Sequence, residues 1–404
     1  MFIKNSVRTL CGLIAACTVV PVYAGDNDYD RDYIYTISNG ANNSVLGFSV
    51  EDDGRLIALQ DSPFLTGGSG LQAPVMSQNA IVVDDEKKLM FAVNTGSRDI
   101  SVMKIKKNGV LESIADSPFL TGGGGPLSSL ALSGDVLYAA HNMPDFGYRG
   151  MRIKGSGSLT PIENAVYPLP EEPMSFPVAI EFNPAGDTMV ALRFSFLASI
   201  PGSSVIETST LDHSTGLLTP APGSPYETSR ETFDSQPLAF SFNPSDSSQI
   251  FVGNAVDILG TTGTVSSYLV AESGQIMQLE NSPVDSGGNV GTGWIAMTQD
   301  GKHLYAINTA SDTISHFSVD RAGKLTLLDV IDVLINNTQD APRNVVFSDG
   351  DQYLYVLNGH YGEDGNGGSI VGFKRMEDGT LLPLPSNPLV VIDEQPVGLM
   401  YIKH

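Results

Sequence analysis

The segment Asp300-Gly301-Lys302-His303-Leu304-Tyr305-Ala306-Ile307-Asn308 runs on through Asp312-Thr313-Ile314-Ser315-His316-Phe317-Ser318-Val319-Asp320 to Gly323-Lys324-Leu325. It opens on an Asp-Gly hairpin signal. Apolar residues then alternate with smaller or polar ones, as a pleated, half-buried strand requires. The run ends in an Asn whose side chain can bond the next backbone amides and start a turn. A third strand follows, and Gly-x-Leu opens a fourth. Gly-x-Leu recurs in phase at Gly54-Arg55-Leu56, Gly109-Val110-Leu111, Gly157-Ser158-Leu159, Gly216-Leu217-Leu218, Gly274-Gln275-Ile276 and Gly379-Thr380-Leu381. Together these make seven copies at intervals of roughly 50–60 residues, the scale of a propeller blade.

Other marks keep the same phase. Second strands read Phe91-Ala92-Val93-Asn94, Phe251-Val252-Gly253-Asn254 and Tyr355-Val356-Leu357-Asn358. First strands include Ala239-Phe240-Ser241-Phe242 and Asn344-Val345-Val346-Phe347, and turn chemistry such as Asn183-Pro184-Ala185-Gly186 joins first to second strands. Fourth strands end in Ser-Pro at Ser62-Pro63, Ser117-Pro118, Ser224-Pro225 and Ser282-Pro283. The chain enters the pattern at a second strand, Tyr33-Ile34-Tyr35, and leaves it at a first strand, Gln395-Pro396-Val397-Gly398-Leu399-Met400-Tyr401. The expected fold is therefore all-β: a seven-bladed β-propeller of four-stranded antiparallel blades. Its ring is closed by the C-terminal strand joining the first blade, which removes an exposed edge.

The N-terminus reads as a secretory signal over residues 1–24, with the propeller occupying residues 25–404. Lys4 and Arg8 form a basic start, residues 9–22 are apolar but too short to cross a bilayer, and Val22-Tyr23-Ala24 offers the cleavage point. Ile14-Ala15-Ala16-Cys17 offers a second route, lipidation at Cys17, although the residues after it remain apolar. Export places the mature chain in the periplasm or outside the cell. Both cysteines, Cys11 and Cys17, lie in this segment, so the mature chain has neither disulfide nor thiolate chemistry. It would carry 20 basic against 45 acidic residues, a net charge of −25. Nucleic acid and anionic membrane surfaces are poor partners for such a chain. No other apolar run is long enough for a transmembrane segment.

The units from Asp300 to Leu325, with the Ser-Pro-Phe…Thr-Gly-Gly ends at residues 62–68 and 117–123, resemble the lactonase-type propellers. These include bacterial 6-phosphogluconolactonases and YVTN-repeat surface proteins. The likeness covers residues 33–401. It implies a lactone of a sugar acid or similar small molecule as substrate, opened by water at the mouth of the central channel. The alternative is a non-catalytic envelope or secreted propeller that binds a protein, glycan or small ligand. A monomer is expected.

In such a ring the starts of first strands and the ends of second strands share one face. Pro342-Arg343-Asn344 resembles the family's Pro-Arg motif, and Arg343 there can hold a carboxylate or phosphate bidentately; the bland role is a bridge between blades. His141 and His360 follow second strands where a general base could activate water, or where a loop histidine merely bonds backbone. Arg193 could stabilise an oxyanion or form a structural ion pair. Trp294 could stack on a sugar or pack, and Asn142 and Gln236 complete the polar set. His303, His316, His213 and His404 fall away from this face. Family enzymes carry a His-x-His stretch opening the fourth blade and Asp-Leu-Gly after its second strand. Here those positions read Ser175-Phe176-Pro177-Val178 and Ala191-Leu192-Arg193-Phe194. No cofactor or metal is expected from a specific motif. Asp26-Asn27-Asp28-Tyr29-Asp30 has the spacing that opens an EF-hand, but Arg31 and Ile37 replace its Gly and closing Glu, so calcium has no more than this and the acidic insertion at 359–368 behind it.

Overall fold

The computed structural model describes residues 31–142, 145–170, 175–195, 204–228, 236–255, 262–333, 340–361 and 367–403, with residues 360 and 361 as backbone. The signal segment, Cys17, the acidic run at residues 26–30 and most of the acidic insertion lie outside the described residues. Among the described residues no helix is long and apolar enough to cross a membrane.

Seven antiparallel sheets form, each with the strand order first-second-third-fourth from the axis outward. Blade 1 is completed by the C-terminal strand Val397–Ile402. It pairs antiparallel with Tyr33–Ile37, placing Tyr33 opposite Ile402 and Tyr35 opposite Met400. The inner strands touch in a closed cycle. From Ile81–Asp84 it runs through Leu127–Ser133, Phe176–Phe182, Gln236–Asn243, Thr292–Met297 and Pro342–Phe347 to Val397–Ile402, which contacts Ile81–Asp84. The ring thus closes as the phase of the termini predicts.

The Gly-x-Leu repeat has a physical cause. The hydroxyls of Tyr35, Tyr138 and Tyr305, on second strands, each donate to the carbonyl of the next blade's glycine (Gly109, Gly216 and Gly379) at 2.6 Å. Tyr355 does the same to Gly54 across the closure, at 2.9 Å. Each glycine turns the chain with positive φ and leaves its α-carbon bare against side chains of the preceding blade. At Gly109, φ is 75°, and an added Cβ would lie 2.5 Å from the Tyr33 ring. Gly109→Ala is therefore expected to destabilise the protein by about 2–4 kcal/mol, through left-handed strain plus overpacking. Guanidinium unfolding measures this, and a change under about 0.5 kcal/mol would remove the latch from the account.

The Ser-Pro repeat is a second device. In blades 1, 2, 4, 5 and 7 the fourth strands stop short, leaving third-strand amides without partners. Ser62, Ser117, Ser224 and Ser282 accept those N–H groups, from Gly47 at 3.1 Å, Val102 at 2.9 Å, Thr208 at 3.0 Å and Ser267 at 2.7 Å. Asn387 does this for Gly372 in blade 7 at 2.8 Å. The chain then returns as a short strand on the third, as at Phe64–Leu65 and Phe119–Leu120. Satisfying every buried amide in this way keeps the blade's edge ordered.

Candidate functional site

The channel mouth is shaped by a repeated irregularity. First strands slip register near their start, between Leu127 and Ser129, Pro177 and Ala179, Pro237 and Ala239, Thr292 and Ile295, and Arg343 and Val345. Blade 1 has the same slip, across Gly398. A bulge leaves residues unpaired and redirects their side chains, here toward the axis. Prolines are tolerated at these positions because the inner edge of the ring has no further strand to receive an N–H.

Residues 77–79 exploit this edge. The Gln78 N–H donates to the Val178 carbonyl in blade 4 at 3.2 Å. In blade 5, Gln78 Nε2 donates to the Phe240 carbonyl at 2.8 Å, and Oε1 accepts the Phe240 N–H at 2.9 Å. The Ser77 carbonyl accepts from Trp294 Nε1 of blade 6 at 2.9 Å and from Asn344 Nδ2 of blade 7 at 3.3 Å. Leu130 of blade 3 donates its N–H to the Asn79 carbonyl at 3.0 Å. A three-residue strap thus ties five blades across the axis, just below the ends of the blades that carry the candidate residues. Nothing in the pattern of Val75-Met76-Ser77-Gln78-Asn79 distinguishes it from an ordinary connection, so the sequence does not disclose it.

Arg343 occupies the second position of the blade 7 inner strand, opposite Leu357. It is 5% exposed. Its Nε has no hydrogen-bond partner among the described residues. Among the described residues no carboxylate offsets its charge, and burial pulls its pKa down to about 10. The bridging role expected of a structural arginine is not what the described residues provide. Next to it, Asn358 stands opposite Pro342, and its buried Oδ1 also lacks a partner among the described residues. The guanidinium lies against the bare α-carbon of Gly359, where a Cβ would overlap Cζ. The clash involves only the mobile end of a side chain. Gly359→Ala is accordingly expected to weaken binding of a carboxylate ligand about tenfold, equivalent to about 1.4 kcal/mol, with little loss of stability. Calorimetric titration beside a melting curve separates the two.

The other residues are more enclosed. His141 ends the second strand of blade 3, where blades 2, 5, 6 and 7 carry Asn94, Asn254, Asn308 and Asn358. It is 0% exposed. Its Nδ1 lies 2.9 Å from the Gly125 carbonyl, and Nε2 is buried without a partner among the described residues. Burial lowers its pKa, so at neutral pH it is an uncharged ring, with Nδ1–H donating to Gly125. Arg193, near the end of the second strand of blade 4, lies 3.3 Å from Glu207, which also accepts from Tyr148 Oη at 2.6 Å. Gln236 spans blades 5 and 4 by donating to the Ser195 carbonyl at 2.7 Å. Trp294 packs into the channel and holds the strap, and the buried Oδ1 of Asn142 has no partner among the described residues. His360 lies in the second strand of blade 7 (Tyr353–Tyr361), and its side chain lies outside the described residues. These residues share one end of their blades. Blades 3 and 4 hold His141, Asn142 and Arg193, whereas Arg343, Asn358 and His360 gather on blade 7.

On the opposite side of the fold, His303 Nδ1 and His316 Nε2 are 2.9 Å apart, and His316 stacks on Tyr305 with ring centres 4.5 Å apart. Among the described residues no group of three or more His, Cys, Asp or Glu side chains is placed to hold a metal.

Comparison with known proteins agrees with this architecture. The family model "Lactonase, 7-bladed beta-propeller" matches residues 261–384. A candidate 6-phosphogluconolactonase from Bacteroides fragilis superposes with a TM-score of 0.71 at 20% identity, over 94% of this chain and 99% of its own. A second, from Bacteroides uniformis, gives 0.70 at 18%, over 92% and 100%. The periplasmic gluconolactonase of Pseudomonas aeruginosa gives 0.69 at 17%, over 92% and 99%. No curated protein matches the chain. With the ring closed by its C-terminal strand, the chain is a seven-bladed β-propeller, and from the outer strands of blade 5 through blade 7 it resembles the lactonase family.

Proposed function

We propose that the protein binds an anionic small molecule at the mouth of its channel and hydrolyses a lactone of a sugar acid or similar compound there. The observation that carries this reading is Arg343, a buried guanidinium with no counter-charge among the described residues. Folding buries such a group at a loss unless a ligand anion completes it. A carboxylate or phosphate on the substrate would sit in its fork, with the amide of Asn358 beside it. Water would attack the lactone carbonyl, the ring C–O bond would break, and the departing alkoxide would take a proton to give the hydroxy acid. His360 or His141 would act as the base. His141 would need to move to meet water. The basic and apolar N-terminus supports action in the periplasm or outside the cell, on a substrate present there.

The burial of His141 and the Arg193–Glu207 pair favour a second reading, a propeller that binds its anionic ligand without turning it over. A panel of sugar-acid and carboxylated lactones, followed by acid release, tests the first. Hydrolysis abolished by Arg343→Met establishes it. Tight binding of the hydroxy acids with no acid release establishes the second. Neither binding nor release defeats both.

A further inference from the structure

Below the strap, the channel holds a cavity of about 190 Å³ lined by Glu181, Gln78, Asn79, Ser241, Trp294 and Asn344. Glu181 is a half-buried acid in the wall of this cavity, with unusual company. Its Oε2 accepts from Gln78 Nε2 and Asn79 Nδ2, each at 3.2 Å. Both donors are neutral amides, and Oε1 has no hydrogen-bond partner among the described residues. The groups packed around it from every side are also neutral. Blade 2 supplies Gln78 and Asn79, blade 3 Ser129, blade 5 Ser241, blade 6 Trp294 and blade 7 Asn344, and blade 1 adds Gly398, Leu399 and Met400. Among the described residues no lysine, arginine or histidine faces the carboxyl group.

A carboxylate enclosed without a cation must either take up a proton or find a positive partner. The lining offers that partner a set of hard oxygen ligands: the carboxylate, the Ser241 hydroxyl, and the side-chain carbonyls of Gln78 and Asn344. Apart from the Met400 thioether, the lining offers no nitrogen or sulfur ligand that would select a soft metal. We propose that this cavity binds one hard cation of the alkali or alkaline-earth type, ligated by Glu181 and by neutral oxygens of the strap and inner strands. The ion would sit on the propeller axis beneath residues 77–79. It would fasten the strap to blades 4, 5 and 7, and so support the floor of the mouth. This site is separate from the Arg343 corner and independent of any lactone chemistry.

Thermal unfolding in choline chloride, with NaCl, KCl or CaCl₂ replacing choline at fixed ionic strength, provides the test. At pH 8 one of these cations is expected to raise Tm by about 2 °C or more at saturation. The rise should be absent in Glu181→Gln, and it should fade at pH 5.5, where Glu181 is protonated and competes with the ion. Equal responses of wild type and Glu181→Gln, or no cation distinguishable from choline, would overturn the proposal. Should the variant fail to fold, wild-type crystals soaked in rubidium and in strontium decide. An anomalous peak beside Glu181 supports the site, and a channel without one in either soak rejects it.

Discussion

Replacing Arg343 by methionine is expected to raise the stability of the free protein while abolishing recognition of anionic ligands. Burial lowers the pKa of this guanidinium from 12.5 to about 10. At neutral pH the folded state therefore carries a charge that its surroundings resist. A shift of that size corresponds to about 3 kcal/mol of destabilisation relative to a solvated arginine. Methionine keeps much of the buried stem and sheds the charge, so Tm should rise. Ligand binding should fall at least about 100-fold, the loss expected for a charge-assisted bidentate contact. A structural arginine predicts the reverse, because removing one end of an interblade bridge destabilises. A melting curve of Arg343→Met without ligand thus separates the two roles before any substrate is known. A lower Tm would place Arg343 among the structural residues and take the proposed pocket with it.

The same residue marks the boundary of what the sequence discloses. The ring was legible because each periodic element has a local cause: a turn glycine facing a neighbour's tyrosine, and a serine that caps a third-strand amide. Identical causes leave identical residues in each blade, and a period results. The end of the mouth at which Arg343 lies was legible for the same reason, since the phase of the strands fixes the face. Enclosure was not. Whether His141 faces water or lies under Gly123 and Gly125 depends on where blade 2's last loop folds, and no spacing encodes that. The residues of the strap bond five blades through main-chain groups and two amides, a role that any short connection could play. Glu181 sits at a position where an inner strand alternates in the ordinary way, and only the closed ring turns that position into the wall of a cavity. Chemistry that arises where distant blades converge is invisible to a reading that proceeds blade by blade.

That convergence makes a testable mark on the pH profile, because two desolvated groups on different blades, one half-buried and one buried, act in opposite senses. Glu181 has a folded pKa raised to about 7 by burial, against an ordinary 4.5. The stability it contributes is complete below pH 4.5 and is lost as pH rises through 7. His316 is the mirror case. Burial, with a smaller contribution from its neighbour His303, lowers its pKa from 6.5 to about 4. Its contribution is present above pH 6.5 and is lost as pH falls through 4. Each shift corresponds to about 3 kcal/mol across its window. Between pH 6.5 and 4.5 acidification therefore relieves one group while straining the other, and their contributions largely cancel. In choline buffer, Glu181→Gln should expose the histidine. Relative to wild type, this variant should lose stability by about 2–3 kcal/mol as pH falls from 6.5 to 4.5. His316→Gln should expose the carboxyl and gain a similar amount over the same interval. The two differences must have opposite signs, since one group takes up its proton to be stabilised and the other takes it up at a penalty. Chemical denaturation at four or five pH values measures both. Parallel curves for wild type and Glu181→Gln would mean that the carboxyl group is solvated, and the channel would then hold no buried charge for a proton or an ion to complete.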